Sequence, residues 1–217
     1  ILYLSASTII TGREFQNRSR ALIYPLMLFL TAETVIQIAL PDLHVTWLCV
    51  TLLSVLYFTY CSEMWNQLDA LTGLLNQNSY LNRTAEMSRS GGLLIVFDVD
   101  NFKQVNDCYG HLQGDACLAA IAACLKKAYA CCGYCYRIGG DEFCVLLKNT
   151  AKEAACAEEF LRQLEKKRRE LTFLPTVSYG SAPLSDEDVV AVKDQADRAM
   201  YHHKKARKER AAAIVPE

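Results

Sequence analysis

Asp98 and Asp100 close an apolar run in Phe97-Asp98-Val99-Asp100-Asn101-Phe102-Lys103, and Asp141 and Glu142 follow the pair Gly139-Gly140. Strand residues two apart point to the same side, so the two aspartates can share a face. Carboxylates at a sheet edge suit Mg²⁺, a hard cation that takes oxygen ligands and keeps substrate phosphates in its shell. If the segment with Asp141 and Glu142 lies beside the first run, the clustered acids repel one another unless cations join them. A two-metal site for phosphoryl chemistry is then the natural reading. From spacing alone, an equal alternative is that Gly139-Gly140-Asp141 is a plain hairpin turn and the Asp pair a strand end.

The elements that must position these acids follow from periodicity. The run 93–97 reads as a buried strand. Over 113–128, apolar residues at 117, 118, 121, 124, 125 and 128 form a helical stripe. Segments 134–138 and 143–147 are strand-like and flank the Gly-Gly turn, which reads as a hairpin. Thr150-x-x-Glu153 predicts a capping box opening a helix to about Lys167. Segment 175–181 is a further strand. Ser185-x-x-Asp188 opens a last helix with Val189, Val192, Ala196, Ala199 and Met200 on one face. This order predicts an α/β (α+β) domain, helices packed on a largely antiparallel sheet.

Before residue 62 the composition differs. Segment 21–40 is apolar apart from Glu33, Gln37 and a few small or aromatic residues, and 43–62 has no acid, Lys or Arg, only His44. Each run has about the 20 residues a helix needs to cross roughly 30 Å of hydrocarbon. Segment 1–10 reads as the end of an earlier span, and a chain opening at Ile1 inside an apolar stretch reads as a fragment. Arg13, Arg18 and Arg20 lie before the first run and Pro41-Asp42 between the two, so the positive-inside rule places the arginines and everything after Ser62 in the cytoplasm. The expected layout is a transmembrane region 1–62, a linker 63–68, a globular domain 69–209 and a tail 210–217.

The formal net charge of −1 provides no general field for nucleic acid. Among the 10 cysteines, Cys117, Cys124 and Cys144 fall on apolar faces, where free thiols pack as small hydrophobes. Reduced thiols in a cytoplasm are expected, and Cys132-x-x-Cys135, lacking a second pair or a nearby His, is not read as a zinc site.

Four segments taken together resemble the GGDEF family. They are Asp69-x-Leu71-Thr72-Gly73-Leu74-x-Asn76; Asp98-x-Asp100-x-Phe102-Lys103-x-x-Asn106-Asp107-x-x-Gly110-His111-x-x-Gly114-Asp115; Arg137-x-Gly139-Gly140-Asp141-Glu142-Phe143; and Ala196-Asp197-x-Ala199-Met200-Tyr201-x-x-Lys204. The resemblance spans about 66–209 and implies the fold of the class III nucleotidyl cyclase and polymerase palm. It implies a bacterial inner-membrane diguanylate cyclase that condenses two GTP into cyclic di-GMP and two pyrophosphates at a homodimer interface. Asp98, the Val99 carbonyl, Glu142 and also Asp141 would hold two Mg²⁺ ions per active site, with Mn²⁺ as a substitute. Asp141 would accept the proton of the attacking 3′-hydroxyl. Asn106 and Asp115 would hydrogen-bond guanine, and Lys103, Lys204 and the backbone N–H groups around Asn101 and Phe102 would bind the triphosphate. The alternative is a catalytically silent GTP-binding receptor or interaction module. A cyclase joining GTP to ATP would carry a smaller hydroxyl residue at position 115, where this chain has Asp.

The chain departs from the family in three places. Ala130-Cys131-Cys132-Gly133 stands where the family has an Arg-x-x-Asp product-inhibition site, so binding of cyclic di-GMP there is expected to be lost. Gln77 replaces the usual Arg after Asn76. Lys208 stands where Arg is usual, and it lacks the guanidinium's bidentate fork.

Overall fold

The computed structural model describes residues 28, 31–32, 35–39, 46–88, 91–184 and 189–214. The chain divides into two units, Ile1–Asn66 and Gln67–Glu217.

In the second unit, α2 (Gln77–Met87) precedes β1 (Gly92–Val99), α3 (Phe102–Tyr109), α4 (His111–Tyr129), the strands β2 (Gly133–Arg137) and β3 (Glu142–Leu147), α5 (Glu153–Glu170), β4 (Val177–Leu184) and α6 (Val189–Ile214). The helix of the first unit, Thr46–Trp65, is α1. The strands form one antiparallel sheet in the order β2-β3-β1-β4.

Alternation along β1 separates two cores. Leu93, Ile95, Phe97 and Val99 pack with Leu118, Ile121 and Leu125 of α4 and Phe160 of α5. Leu94 and Val96 face the other way, toward Tyr80 of α2 and Val192 and Ala196 of α6. A strand covered on both faces needs apolar side chains at successive positions, which is why 93–97 is an unbroken apolar run. The α4 stripe predicted from the sequence is buried at every one of its positions, with Cys117 and Cys124 among them as free thiols; Cys144 on β3 is likewise buried and free.

The predicted capping box at Thr150 does not form. The Asn149 side chain accepts from Ala151 N at 3.1 Å one residue earlier, a 3-10 turn runs over Thr150–Lys152, and α5 starts at Glu153 with no side-chain cap at Lys152. A local side-chain acceptor has captured the free N–H first. The expected cap at Ser185 and Asp188 lies outside the described residues.

In the first unit, Thr51, Ser54 and Thr59 of α1 donate to the carbonyls of Trp47, Val50 and Val55 at 2.7–2.8 Å, which turns their hydroxyls back onto the helix. Apolar residues such as Trp47 and Phe58 are exposed, 81% and 73%. The expected transmembrane helices are nevertheless not found: among the described residues no helix is long and apolar enough to cross a membrane. Most of the run 43–62 lies in a helix that starts at Thr46 and continues through Glu63 to Trp65. Of 21–40 only residues 28, 31–32 and 35–39 are described, and they are helical; 1–10 lies outside the described residues.

Candidate active site

The carboxylates meet where β1 ends. In the β1–β3 register Asp98 stands opposite Glu142, and in the β1–β4 register opposite Ser178. Directly opposed residues put their Cβ atoms about 4.5–5.5 Å apart on one face. Asp141 is held beside them by backbone, its carbonyl accepting from Val99 N at 3.3 Å. The hairpin forms as expected, and it brings Glu142 into register with Asp98.

Asp100 does not extend this face. It is buried, 4% exposed, and accepts from Thr176 Oγ1 at 3.0 Å and Ser178 Oγ at 2.9 Å, while its own N–H donates to the Thr176 carbonyl at 2.9 Å. Its carboxylate ties the end of β1 to β4.

Lys204 reaches in from α6. Its ammonium donates to the Asp98 carboxylate and lies 3.6 Å from Asp100. Partial burial pulls the ammonium's pKa down, but the hydrogen bond and charge of Asp98 and the charge of Asp100 outweigh it and leave the pKa above the ordinary lysine value. This reach depends on Gly180 of β4. A Cβ there would meet the α6 backbone at Ala196 O (2.5 Å) and Ala199 C (2.7 Å), so only glycine lets α6 lie directly on the sheet. Sequence reading placed Gly180 inside a strand and gave it no role; a lone glycine in a strand is the signal for such close backbone approach.

Asn101 turns the chain from β1 into α3 with φ 55° and ψ 32°, a left-handed conformation that asparagine tolerates better than most residues. The turn sets the first N–H groups of α3, those of Phe102 and Lys103, just past the carboxylates. A helix start leaves such N–H groups without partners inside the helix, and they favour anions. Further along, Gly114 of α4 makes room for α3. A Cβ at Gly114 would collide with the Asn106 carboxamide oxygen and lie 3.3 Å from Phe102 Cζ. Asn106 is thereby lodged beside the turn of α4 that carries exposed Asp115. Phe102 and Asn106 are one helical turn apart, about 6 Å along the axis. The N–H groups at the start of α3 and the Asn106 amide beside Asp115 are thus about one helical turn apart.

Two residues quoted in the motifs but given no role hold the turn. Arg137 donates through Nη1 to Asp69 (3.1 Å) and through Nη2 and Nε to the Gly140 carbonyl (2.8 and 3.3 Å). Asp69 also accepts from Thr72 N at 2.9 Å and Thr72 Oγ1 at 2.6 Å. Burial raises the Asp69 pKa, but the Thr72 and Arg137 hydrogen bonds prevail and hold it below the usual carboxylate value. The segment leading to α2 lies alongside β2, with Leu75 bridged to Tyr136, so Arg137 connects the entry of the unit to the Gly139–Glu142 turn.

Among the described residues no group of three or more His, Cys, Asp or Glu side chains converges into a complete metal site. The donor set still fits Mg²⁺. Asp98 and Glu142 are hard oxygen donors in register, and Mg²⁺ is commonly bound by one or two carboxylates with water and substrate phosphate completing the shell. A shallow groove of about 350 Å³ runs along α6 by Asp194, Asp197, Arg198, Tyr201 and His202, and none of the expected nucleotide residues lines it.

Residues 66–210 match the family described as "Diguanylate cyclase, GGDEF domain". Diguanylate cyclase DgcP of Pseudomonas aeruginosa is 36% identical over 160 residues, covering 65% of this chain and 23% of its own length. Cyclic di-GMP phosphodiesterase PdeR of Escherichia coli is 34% identical, covering 69% of this chain and 24% of its own. Diguanylate cyclase DgcS of Shewanella oneidensis is 33% identical, covering 65% and 51%. The chain thus spans about a quarter to a half of these relatives. Among solved structures, the GGDEF domain of DgcB from Caulobacter crescentus in complex with c-di-GMP is 28% identical with a TM-score of 0.56, covering 64% of this chain and 91% of that one.

Proposed function

Because the chain belongs to the GGDEF family, we propose that its Gln67–Glu217 unit is a diguanylate cyclase that condenses two GTP into cyclic di-GMP and two pyrophosphates. The observation that carries this reading is the Asp98–Glu142 cross-strand pair beside the N-terminus of α3. Asp98, Glu142 and the Val99 carbonyl would hold Mg²⁺, two ions with Asp141 touching one, and Mn²⁺ would substitute. Bound there, the metal neutralises charge on the attacking and leaving oxygens, which in-line phosphoryl transfer needs.

The chain's own residues do the rest. Asp141 takes the proton of the attacking 3′-hydroxyl. Lys103 and the N–H groups after Asn101 hold the triphosphate, and Lys204 adds positive charge from α6. Asn106 and Asp115 read guanine by hydrogen bonds that another base would leave unmade, a strong basis for selection. One unit holds one GTP, so closing two phosphodiester bonds takes two copies face to face. With Ala130 and Gly133 at the inhibition-site positions, product does not bind there.

We place the protein in the bacterial inner membrane with the cyclase unit cytoplasmic, and assign residues 1–62 as the input region. The apolar runs 1–10 and 21–40 support attachment, and α1 by itself is not counted as a span. One observation favours a second reading, a silent GTP receptor: Lys204 already neutralises Asp98.

The test is the full chain in detergent with Mg²⁺ and GTP at several protein concentrations, products separated by chromatography. Cyclic di-GMP appears at a rate rising faster than linearly with protein and falls about 10³-fold in Glu142→Ala, the scale of losing a charge-stabilising group. GTP bound without product at any concentration overturns the cyclase in favour of the receptor.

A further inference from the structure

The turn between α4 and β2 brings two thiols together on the side of the hairpin remote from its catalytic turn. Cys132 Sγ lies 3.1 Å from Cys156 Sγ, 24 positions later in the first turn of α5. Bond formation requires a closure of only about 1 Å, since a disulfide is about 2.05 Å long. What the pair gains as thiols is a weak S–H hydrogen bond. Cys132 Sγ also points at the Tyr129 carbonyl (3.5 Å), as Cys117 and Cys135 point at those of Phe173 and Leu125; what sets the pair apart is the second sulfur within reach.

We propose that Cys132 and Cys156 are a reversible oxidation site, closing an intramolecular disulfide on reaction with a low-molecular-weight disulfide. Cys132 is half-buried and Cys156 buried, so the order of events follows from access. The Cys132 thiolate attacks one sulfur of the oxidant RSSR, and RS⁻ leaves and takes up the proton that Cys132 gave up. Cys156 then loses its proton and attacks the Cys132 sulfur of the mixed disulfide, expelling the second RS⁻, which that proton neutralises. Two protein thiols are oxidised and RSSR is reduced to two RSH. Burial, with the thiols of Cys156 and Cys131 alongside, pushes Cys132 up to about 12, so the reduced pair rests as thiols and reacts slowly. Exposed Cys131 is the competing nucleophile, but a bond between adjacent residues must distort the planar trans peptide between them.

The closed loop holds β2, the Gly139–Glu142 turn and β3, and it joins the end of α4 to the start of α5. Gly133 to Gly139 spans about 20 Å of strand, so the bond stiffens the hairpin from its far end without touching the carboxylates.

The full chain is equilibrated in oxidised-to-reduced glutathione mixtures, alkylated, digested without reductant and analysed by fragmenting mass spectrometry. The expected result is a peptide linking Cys132 to Cys156, a rise in Tm of about 10 °C, and reversal of both by dithiothreitol. Cys131→Ser keeps the link and Cys156→Ser abolishes it. Glutathione retained on Cys132 without a link, or a link from Cys156 to Cys131, overturns the proposal. Both outcomes are read on the unsubstituted chain, so a variant that fails to fold does not shelter it.

Discussion

At the turn of the β2–β3 hairpin, Arg137 ties the Gly140 carbonyl to Asp69, and the acids beside it are partly exposed. At the other end, Gly133 pairs with Leu147 inside apolar packing. A Cβ on Gly140 would meet nothing within 4 Å, whereas one on Gly133 would meet Leu146 O at 2.7 Å and Val145 Cγ1 at 3.2 Å. The same two strands thus end once in a charge-held, partly exposed turn and once in close packing. The comparison teaches that stability and chemistry are separable along one hairpin: packing supplies the first, and a few charged groups in open space supply the second.

That separation can be broken from either end. The largest effect on folding is expected from Phe143, fully buried one residue past Glu142, where the strand leaves the site for the core. Phe143→Ala should cost about 3–5 kcal/mol in urea unfolding, and a cost under about 1 kcal/mol would mean the packed region starts further from the turn. The two glycines give the sharper contrast. Gly133→Ala should destabilise by about 1–3 kcal/mol through overpacking against backbone. Gly140→Ala should leave urea stability within about 0.5 kcal/mol, since a Cβ there meets nothing within 4 Å. Equal stability losses at both would remove the distinction.

The remaining effect is electrostatic. Arg137→Met should cost about 1.5–3 kcal/mol at neutral pH, the range for a hydrogen bond to a charged group. The Thr72 and Arg137 hydrogen bonds hold the folded pKa of Asp69 below the ordinary aspartate value. Its contribution is therefore complete above that value and declines as pH falls toward the lower folded one. The gap between wild type and Arg137→Met in urea unfolding should narrow between neutral pH and pH 3. A constant gap would assign the effect to the Gly140 carbonyl instead.

Much of this was legible in the residues. The run 93–97 reads as a buried strand, 113–128 as a helix with an apolar stripe, and Gly139-Gly140 between two strand-like runs as a hairpin turn, and each is found so. The four motifs named the acids and lysines before any fold was known. Asp98 and Asp100 show where that reading stops. They are equivalent by spacing, yet one faces Glu142 and the other is spent on Thr176 and Ser178, because the entry and start of β4 arrive 76 and 78 positions later and supply the hydroxyls.

What the sequence determined by itself was local: which segments alternate with period 2 or 3.6, where the chain turns, and which charges stand together along it. Only the tertiary structure decided which partners those charges meet. Gly180 admits α6 and with it Lys204, Gly114 admits Asn106, Arg137 finds Asp69 across 68 positions, and Cys132 finds Cys156. Periodicity is written in the backbone geometry of neighbours, whereas these contacts depend on how closely two distant backbones pack, and no stretch of sequence encodes that alone.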